Sequence, residues 1–184
     1  MSRPTCSVFI GLSLDGYIAR PDGSLDWLLP FEAPEHGYQS FIDSVDAVVV
    51  GRATYETVLG FEVWPYSGKR VVVLTRRPRP PLHGETFVEG TPAAVAALLE
   101  GEGIRHAYVD GGNVVSEFVA AELVDDLTLT FVPVVLGQGI RLFQGVIPER
   151  AFRLVSARTY PSGLVQVKYV AARDAVPAPG PHCA

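Results

Sequence analysis

Residues 108–119 read YVDGGNVVSEFV, and the rest of the chain can be interpreted outward from this stretch. The pattern predicts the end of a buried strand, a tight turn at Gly111 and Gly112, and the first turns of a helix. Glycine lets a backbone approach a ligand where a Cβ would collide, and a helix start offers free N–H groups to an anion. The stretch is therefore a candidate phosphate-binding turn, although a Gly-Gly pair in this position is often no more than a chain reversal.

A second strand–glycine–helix junction lies upstream. Residues 47–50 (AVVV) predict a strand covered on both faces, Gly51 ends it, and a helix follows over residues 52–59. Arg52 at this turn carries a guanidinium that suits bidentate contact with a phosphate. A third strand, residues 70–75, is followed at once by Arg76 and Arg77. Arginines after a buried strand lie where open α/β sheets bind ligands, and the alternative is a solvated basic corner.

The remaining pattern predicts an α/β fold. Strands and helices alternate up to about residue 121, and consecutive strands follow, ending in a hairpin of residues 152–160 and 164–171. We therefore expect a mostly parallel central sheet flanked by helices, with an antiparallel hairpin at its C-terminal edge. Residues 25–32 are expected to form a loop, and residues 35–44 a helix. We expect one domain over residues 1–175 and a flexible, proline-containing tail over residues 176–184.

Composition excludes several classes of function. The net charge is −5 without a basic stripe, which argues against nucleic acid as the main partner. The two cysteines, Cys6 and Cys183, have no metal-type spacing, and no apolar run is long enough to span a membrane. We therefore expect a cytoplasmic protein without a metal site. The four histidines are scattered, no Ser-His-Asp arrangement stands out, and the G-x-G-x-x-G pattern of an ordinary Rossmann fold is absent.

Six short motifs nevertheless occur in the order found in one known family. They are SLDGYIA (residues 13–19), SLDWL (24–28), VGRATYE (50–56), VLTR (73–76), VDGG (109–112) and VPVVLGQGIRLF (132–143). Together they make the chain resemble the dihydrofolate reductase-like superfamily. The resemblance is closest to the C-terminal reductase domain of the bifunctional riboflavin-biosynthesis deaminase/reductase and to its stand-alone relatives. The zinc motif of the deaminase half is absent.

The resemblance implies NADPH as cofactor and hydride transfer to a small heterocyclic substrate. Arg76 is the first candidate for contact with the 2′-phosphate, and Arg77 the second. The residues that would hold the cofactor are Gly51, Arg52, Thr54, Leu74, Thr75, Arg76, Gly111, Gly112, Asn113 and Val114. The resemblance also implies a homodimer, for which the late apolar strands are a reasonable interface.

The substrate side leaves alternatives open. In the riboflavin-type enzymes a Ser and a Trp of the early loop contact the substrate, and these correspond to Ser24 and Trp27 here. Glu32 stands at the spacing from the Trp at which folate enzymes carry the carboxylate that assists protonation, and Asp26 is a second acidic candidate. A riboflavin-pathway reductase (acting on 5-amino-6-(5-phosphoribosylamino)uracil) is therefore the first hypothesis and a dihydrofolate reductase the alternative. A nucleotide-binding module without catalysis is the alternative from another class.

Overall fold

The computed structural model describes residues 2–31 and 36–172, and these form an eight-stranded sheet with helices on both faces. The strands are β1 (Thr5–Ser13), β2 (Tyr17–Ala19), β3 (Ala47–Gly51), β4 (Arg70–Leu74), β5 (Thr86–Val88), β6 (His106–Asp110), β7 (Asp126–Val132), β8 (Ile140–Arg141), β9 (Phe152–Thr159) and β10 (Val165–Ala171). The helices are a 3₁₀ helix (Asp26–Phe31), α1 (Tyr38–Ser44), α2 (Arg52–Val58), α3 (Pro92–Gly101) and α4 (Gly112–Ala120).

The order of strands across the sheet is β5-β4-β3-β6-β1-β7-β10-β9. The first six strands are parallel, and β10 runs antiparallel to both β7 and β9. β2 and β8 form a separate two-stranded antiparallel sheet. The predicted architecture, a mostly parallel sheet with an antiparallel edge hairpin, is confirmed.

β3 has the central position that its apolar sequence predicted. Val48 and Val50 point to one face, where they pack with Tyr55 of α2 and with side chains of α1. Val49 points to the other face and packs with Phe118 of α4 and with α3. All four residues from Ala47 to Val50 are fully buried, because helices cover both faces of the sheet at this strand.

Two expectations differ from the structure in detail, and one short strand was not predicted. The stretch expected to be a loop over residues 25–32 contains a 3₁₀ helix, whose Trp27 is buried against Val132 and Leu164. The helix expected from residue 35 begins at Tyr38, after Gly37 with φ 92°. β8 was not foreseen, because a two-residue strand has no periodicity to detect. The expected flexible tail lies outside the described residues. Within the described ranges, no helix combines the length and apolar character that crossing a bilayer requires.

Candidate functional site

The two strand–glycine–helix junctions lie side by side at the carboxyl edge of the sheet. β3 and β6 are neighbouring strands, and Val50 pairs with Asp110. The chain therefore leaves the two strands at the same height along the sheet, at Gly51 and at Gly111. A Cβ on Gly111 would come closer than 3.0 Å to Thr54 Oγ1 of α2, and one on Gly51 would lie 3.2 Å from Val114 Cγ2 of α4. The starts of α2 and α4 are therefore in direct contact.

Neither helix start is capped by a side chain. The N-cap residues are Gly51 and Gly111, and neither has a side chain that can accept from the first N–H groups. Gly111 has φ 93°, a conformation that strongly favours glycine. The first backbone N–H groups of α4, at Gly112, Asn113 and Val114, have no partner within the helix. Two uncapped helix starts thus lie side by side at one edge of the sheet, which is a suitable place for a diphosphate.

Gly112, predicted as part of the phosphate-binding turn, also packs closely against another part of the chain. A Cβ at this position would come closer than 3.0 Å to the carbonyl oxygen of Arg141 and the side-chain amide of Gln144. The space beside its α-carbon is therefore filled by the end of β8 and the segment that follows it. The glycine permits close packing between that segment and the start of α4.

The candidate arginines are exposed and only weakly engaged. Arg52, the first residue of α2, lies 2.7 Å from Glu56, and Arg76, after β4, lies 3.9 Å from Glu89. The Arg76 side chain is 89% exposed. Thr75, which precedes it, accepts a hydrogen bond from the Arg77 N–H at 3.1 Å. Exposed ion pairs are worth about 1 kcal/mol or less, so these guanidinium groups remain available to a phosphate. Two helix starts and three arginines fit the phosphate groups of NADPH.

Asp110 is a site residue that the sequence analysis did not single out. It is the last residue of β6, and its carboxylate accepts from the Gly111 N–H at 2.8 Å. Burial raises the pKa of Asp110 to about 6, although the Gly111 N–H and the Tyr66 hydroxyl act in the opposite direction. A carboxyl group of this pKa can donate a proton near neutrality. The available signal was an acidic residue at the end of a buried strand, directly before the Gly-Gly turn.

Asp15 connects two of the motifs that carry the resemblance. Its carboxylate accepts from the Ser13 hydroxyl at 2.7 Å and from the N–H groups of Leu136 and Gly137 at 3.1 and 2.7 Å. These hydrogen bonds, with that of Ser13 the largest contribution, lower the pKa of Asp15 to about 2. Nearby, the Arg141 guanidinium lies 4.6 Å from the centre of the Tyr17 ring. An ionised carboxylate thus joins the turn after β1 to the β7–β8 loop, and a cation–π contact joins β2 to β8.

The substrate candidates lie over a different part of the sheet. A Cβ on Gly11 of β1 would be 3.2 Å from Leu28 Cδ2, so the 3₁₀ helix covers β1. Asp26 is exposed, accepts from Arg20 at 2.6 Å and from the Ser24 hydroxyl at 3.4 Å, and its pKa is lowered mainly by Arg20. An ionised, paired Asp26 is poorly suited to donate a proton. Glu32 lies outside the described residues.

The fold also brings a Ser, a His and an Asp together at the opposite, amino edge of the strands. Ser7 Oγ lies 2.8 Å from His106 Nε2 and donates to Asp126 Oδ2 at 2.6 Å. The carboxylate therefore contacts the serine and not the histidine. The His106 Nδ1 lies 3.1 Å from the Ser44 carbonyl, so no carboxylate orients the imidazole as in a catalytic triad. Ser7 is only 1% exposed. This cluster connects β1, β6 and β7 and is not a nucleophilic site.

Comparison with known proteins finds relatives that match most of the chain's length. The chain is 38% identical to "Uncharacterized protein YwjB" of Bacillus subtilis (strain 168) over 176 residues. This alignment covers 94% of this chain and 100% of that protein. The crystal structure of a putative riboflavin biosynthesis protein from Shewanella sp. PV-4 superposes with a TM-score of 0.84 at 33% identity, covering 92% of this chain and 99% of that one.

A more distant match is the diaminohydroxyphosphoribosylaminopyrimidine deaminase/5-amino-6-(5-phosphoribosylamino)uracil reductase of Thermotoga maritima. Its TM-score is 0.72 at 18% identity, and the match covers 92% of this chain but 57% of that protein. This likeness shows a shared fold, and it supports the predicted dihydrofolate reductase-like architecture. The model of the RibD C-terminal domain matches residues 4–166. The chain therefore belongs to the RibD C-terminal domain family, as its ordered motifs indicated.

Proposed function

We propose that the protein is an NADPH-dependent reductase of the riboflavin-pathway type, which transfers hydride to a small heterocyclic substrate such as 5-amino-6-(5-phosphoribosylamino)uracil. The observation behind the proposal is that two uncapped helix starts, at Gly51 and Gly111, lie in contact with each other, with Asp110 beside them. The reductase activity for which the Thermotoga maritima protein is named and the family membership support the same chemistry.

Different residues of the chain would bind different parts of the cofactor. The N–H groups of Gly112, Asn113 and Val114 would bind the diphosphate together with Arg52, since these groups meet at one edge of the sheet. Arg76, with Arg77 next to it, would bind the 2′-phosphate at the end of β4. When bound, NADPH would supply the hydride, and the protein would hold the two reacting carbons in contact and exclude water.

The proton would come from Asp110. Hydride addition to the carbon of a C=N bond leaves the nitrogen in need of a proton, and a carboxyl group with a pKa of about 6 can supply one. Asp26 is less suited because its pKa is lowered by Arg20. The role of Glu32 in assisting protonation, which belongs to the dihydrofolate reductase alternative, stays a prediction.

Replacing Arg76 by Ala is expected to weaken NADPH binding about 10-fold, because one charge-assisted contact with a phosphate is lost. NADH binding should not change, since NADH has no 2′-phosphate. The measurement is a fluorescence titration with each cofactor, in which a tryptophan transfers energy to the bound nicotinamide.

Arg153→Ala is the matched control, because this exposed arginine lies on β9 at the opposite edge of the sheet. The reductase proposal fails if the unmodified protein binds neither cofactor. Tight NADPH binding without turnover of any heterocycle would instead favour the non-catalytic module.

We also propose a homodimer that forms through the β9–β10 hairpin. Seven of the eight residues of β9 are exposed, and Leu154 and Val155 are 51% and 50% exposed on this edge strand. An uncovered apolar edge strand invites pairing with another chain. Leu154→Arg is expected to convert a dimer to a monomer in static light scattering, whereas Leu82→Arg, at a similarly exposed leucine elsewhere, should not. A monomer before any substitution would contradict this interface.

The cytoplasmic location indicated by the cysteine content stays a prediction.

A further inference from the structure

A cleft of about 410 Å³ lies between α1 and the β9–β10 hairpin, on one face of the sheet. Its lining includes Thr5, His106 and Asp126, which are the first residues of β1, β6 and β7. These positions mark the amino edge of the parallel strands, whereas the two strand–glycine–helix junctions lie at the carboxyl edge. The cleft is therefore separate from the candidate cofactor site, and its volume is in the range of small-molecule sites.

The two walls of the cleft differ in chemistry. On the side of α1, the Phe41 ring stacks on that of Phe9 of β1 with ring centres 5.0 Å apart, and Ser40 also lines the cleft. On the side of the hairpin, Ser156 and Arg158 of β9 line it. One wall is thus largely aromatic, and the other is polar and charged.

The strand register places the polar residues of the hairpin next to one another. Lys168 of β10 pairs with Thr128 of β7 on one side and with Ser156 of β9 on the other. Arg158 lies two residues after Ser156, so the two side chains point to the same face of the sheet. The α-carbons of Lys168 and Arg158 are therefore diagonal neighbours, about 7–8 Å apart, and their long side chains can reach one bound group.

This pair of cations is far from the candidate cofactor site. β9 is four strands away from β6 in the sheet. Because neighbouring strands are about 4.8 Å apart, the pair lies roughly 19 Å from the strand that ends at Asp110.

Both cations are available to a ligand. Within residues 2–31 and 36–172, the exposed Arg158 has no ion-pair or hydrogen-bond partner. Lys168 Nζ lies 3.6 Å from Asp126 Oδ1, which is too long for a hydrogen bond, and the other oxygen of that carboxylate accepts from the Ser7 hydroxyl at 2.6 Å. An ion pair this exposed is worth about 1 kcal/mol or less. The two cations and one carboxylate give the cleft a surplus of positive charge.

We propose that this cleft binds a phosphomonoester of a small hydroxylated molecule. The phosphate lies between Arg158 and Lys168 and accepts from the Ser156 hydroxyl. The planar guanidinium can contact two phosphate oxygens at once. The rest of the molecule extends toward α1, where the Ser40 hydroxyl can bind a ligand hydroxyl and the Phe41 ring provides an apolar contact.

A phosphate fits these groups better than a carboxylate. A phosphomonoester carries a charge of about −1.5 to −2 near pH 7 and has three terminal oxygens, so it can engage two cations and a hydroxyl group together. A carboxylate has one charge and two oxygens, which Arg158 alone would satisfy. Lys168 would then keep only its long contact with Asp126.

The test is a ¹H–¹⁵N NMR titration with glucose 6-phosphate, compared with inorganic phosphate and with glucose. We expect glucose 6-phosphate to shift the backbone amide signals of Ser156, Arg158 and Lys168 in a saturable way. It should bind about 10-fold more tightly than inorganic phosphate, because the sugar hydroxyls add contacts to α1. Glucose, which has no anionic group, should leave these signals in place.

Variants localise the contact. Arg158→Ala and Lys168→Ala should each weaken glucose 6-phosphate binding about 10-fold, since each removes one charge-assisted contact. Arg153→Ala is the matched control, because this exposed arginine also lies on β9 but outside the cleft. Arg76→Ala should likewise leave the binding unchanged, which separates the cleft from the proposed cofactor site.

Several outcomes would overturn the assignment. Hairpin signals that ignore glucose 6-phosphate would do so, as would equal affinity in Arg158→Ala and the unmodified protein. Shifts confined to Gly112 and Asn113 would place the phosphate at the start of α4 instead. Inorganic phosphate that binds as tightly as the sugar phosphate would exclude a phosphomonoester site. Saturable hairpin shifts in a protein that never binds NADPH would uphold the cleft and contradict the reductase.

Discussion

An Asp110→Asn variant is expected to reduce the ribosylaminopyrimidine substrate about 100-fold more slowly than the unmodified protein, because an amide cannot donate the proton that follows hydride transfer. The Asn oxygen can still accept from the Gly111 N–H, so the turn and the NADPH affinity should be preserved. The measurement is the rate of NADPH oxidation at saturating cofactor, together with a separate cofactor titration.

The same substitution is expected to stabilise the fold above pH 6. Burial raises the pKa of Asp110 from 3.8 to about 6, so between these values the folded protein holds a proton that the unfolded chain has released. The free energy of unfolding therefore falls as the pH rises through this range and stays lower above it. Asn avoids this cost, and the variant should gain about 3 kcal/mol at pH 8 and nothing at pH 3.

Asp43→Asn is the control, because this aspartate is exposed on α1 and accepts a hydrogen bond from the Gln39 side chain at 2.9 Å. It should change neither rate nor stability. A rate loss in Asp110→Asn that is accompanied by lower stability at pH 8 would indicate that Asp110 is structural and not the proton donor.

A Gly112→Ala variant is expected to lower the free energy of unfolding by about 2 kcal/mol, the usual cost of adding a methyl group to a filled space. The new Cβ would meet the Arg141 carbonyl, which belongs to the backbone and cannot rotate away. Either α4 or the segment after β8 must shift, so NADPH binding should weaken as well. Urea denaturation and the fluorescence titration measure the two effects.

Gly101→Ala provides the matched comparison. Gly101 also lies in a helix, at the end of α3, but a Cβ there meets nothing within 4 Å. This substitution should be neutral or stabilise by up to about 1 kcal/mol, since alanine favours the helix. Equal stability of the two variants would show that the segment after β8 yields freely and is not packed as described.

Much of the fold could be predicted because its signals are local. The local sequence alone predicts three of these elements: the AVVV run of β3, the Gly-Gly turn before α4 and the turn of the late hairpin. The order of the strands could not be read in this way. β6 enters between β3 and β1, and this choice depends on which apolar surfaces fit together and not on any residue pattern.

In the candidate site, too, some residues could be predicted from local sequence and others depend on distant parts of the chain. Glycines and arginines at strand ends were predicted because the chemistry of phosphate binding restricts the residue types. Asp110 was missed because its importance comes from burial beside Tyr66, a residue 44 positions earlier in the sequence. The partners of Gly112, Arg141 and Gln144, are likewise distant along the chain, so the reason for that glycine appears only in three dimensions.

The position of β1 in the sheet has a consequence for biosynthesis. β1 pairs only with β6 and β7, which begin at residues 106 and 126, so it has no neighbour until most of the chain has been made. At roughly 5–20 residues per second, the strand waits on the order of 5–20 seconds after its own translation. Its buried side chains, Cys6, Val8 and Leu12, are exposed during this interval. The nascent protein therefore exposes the apolar segment of β1, which chaperones can bind until β7 has been translated.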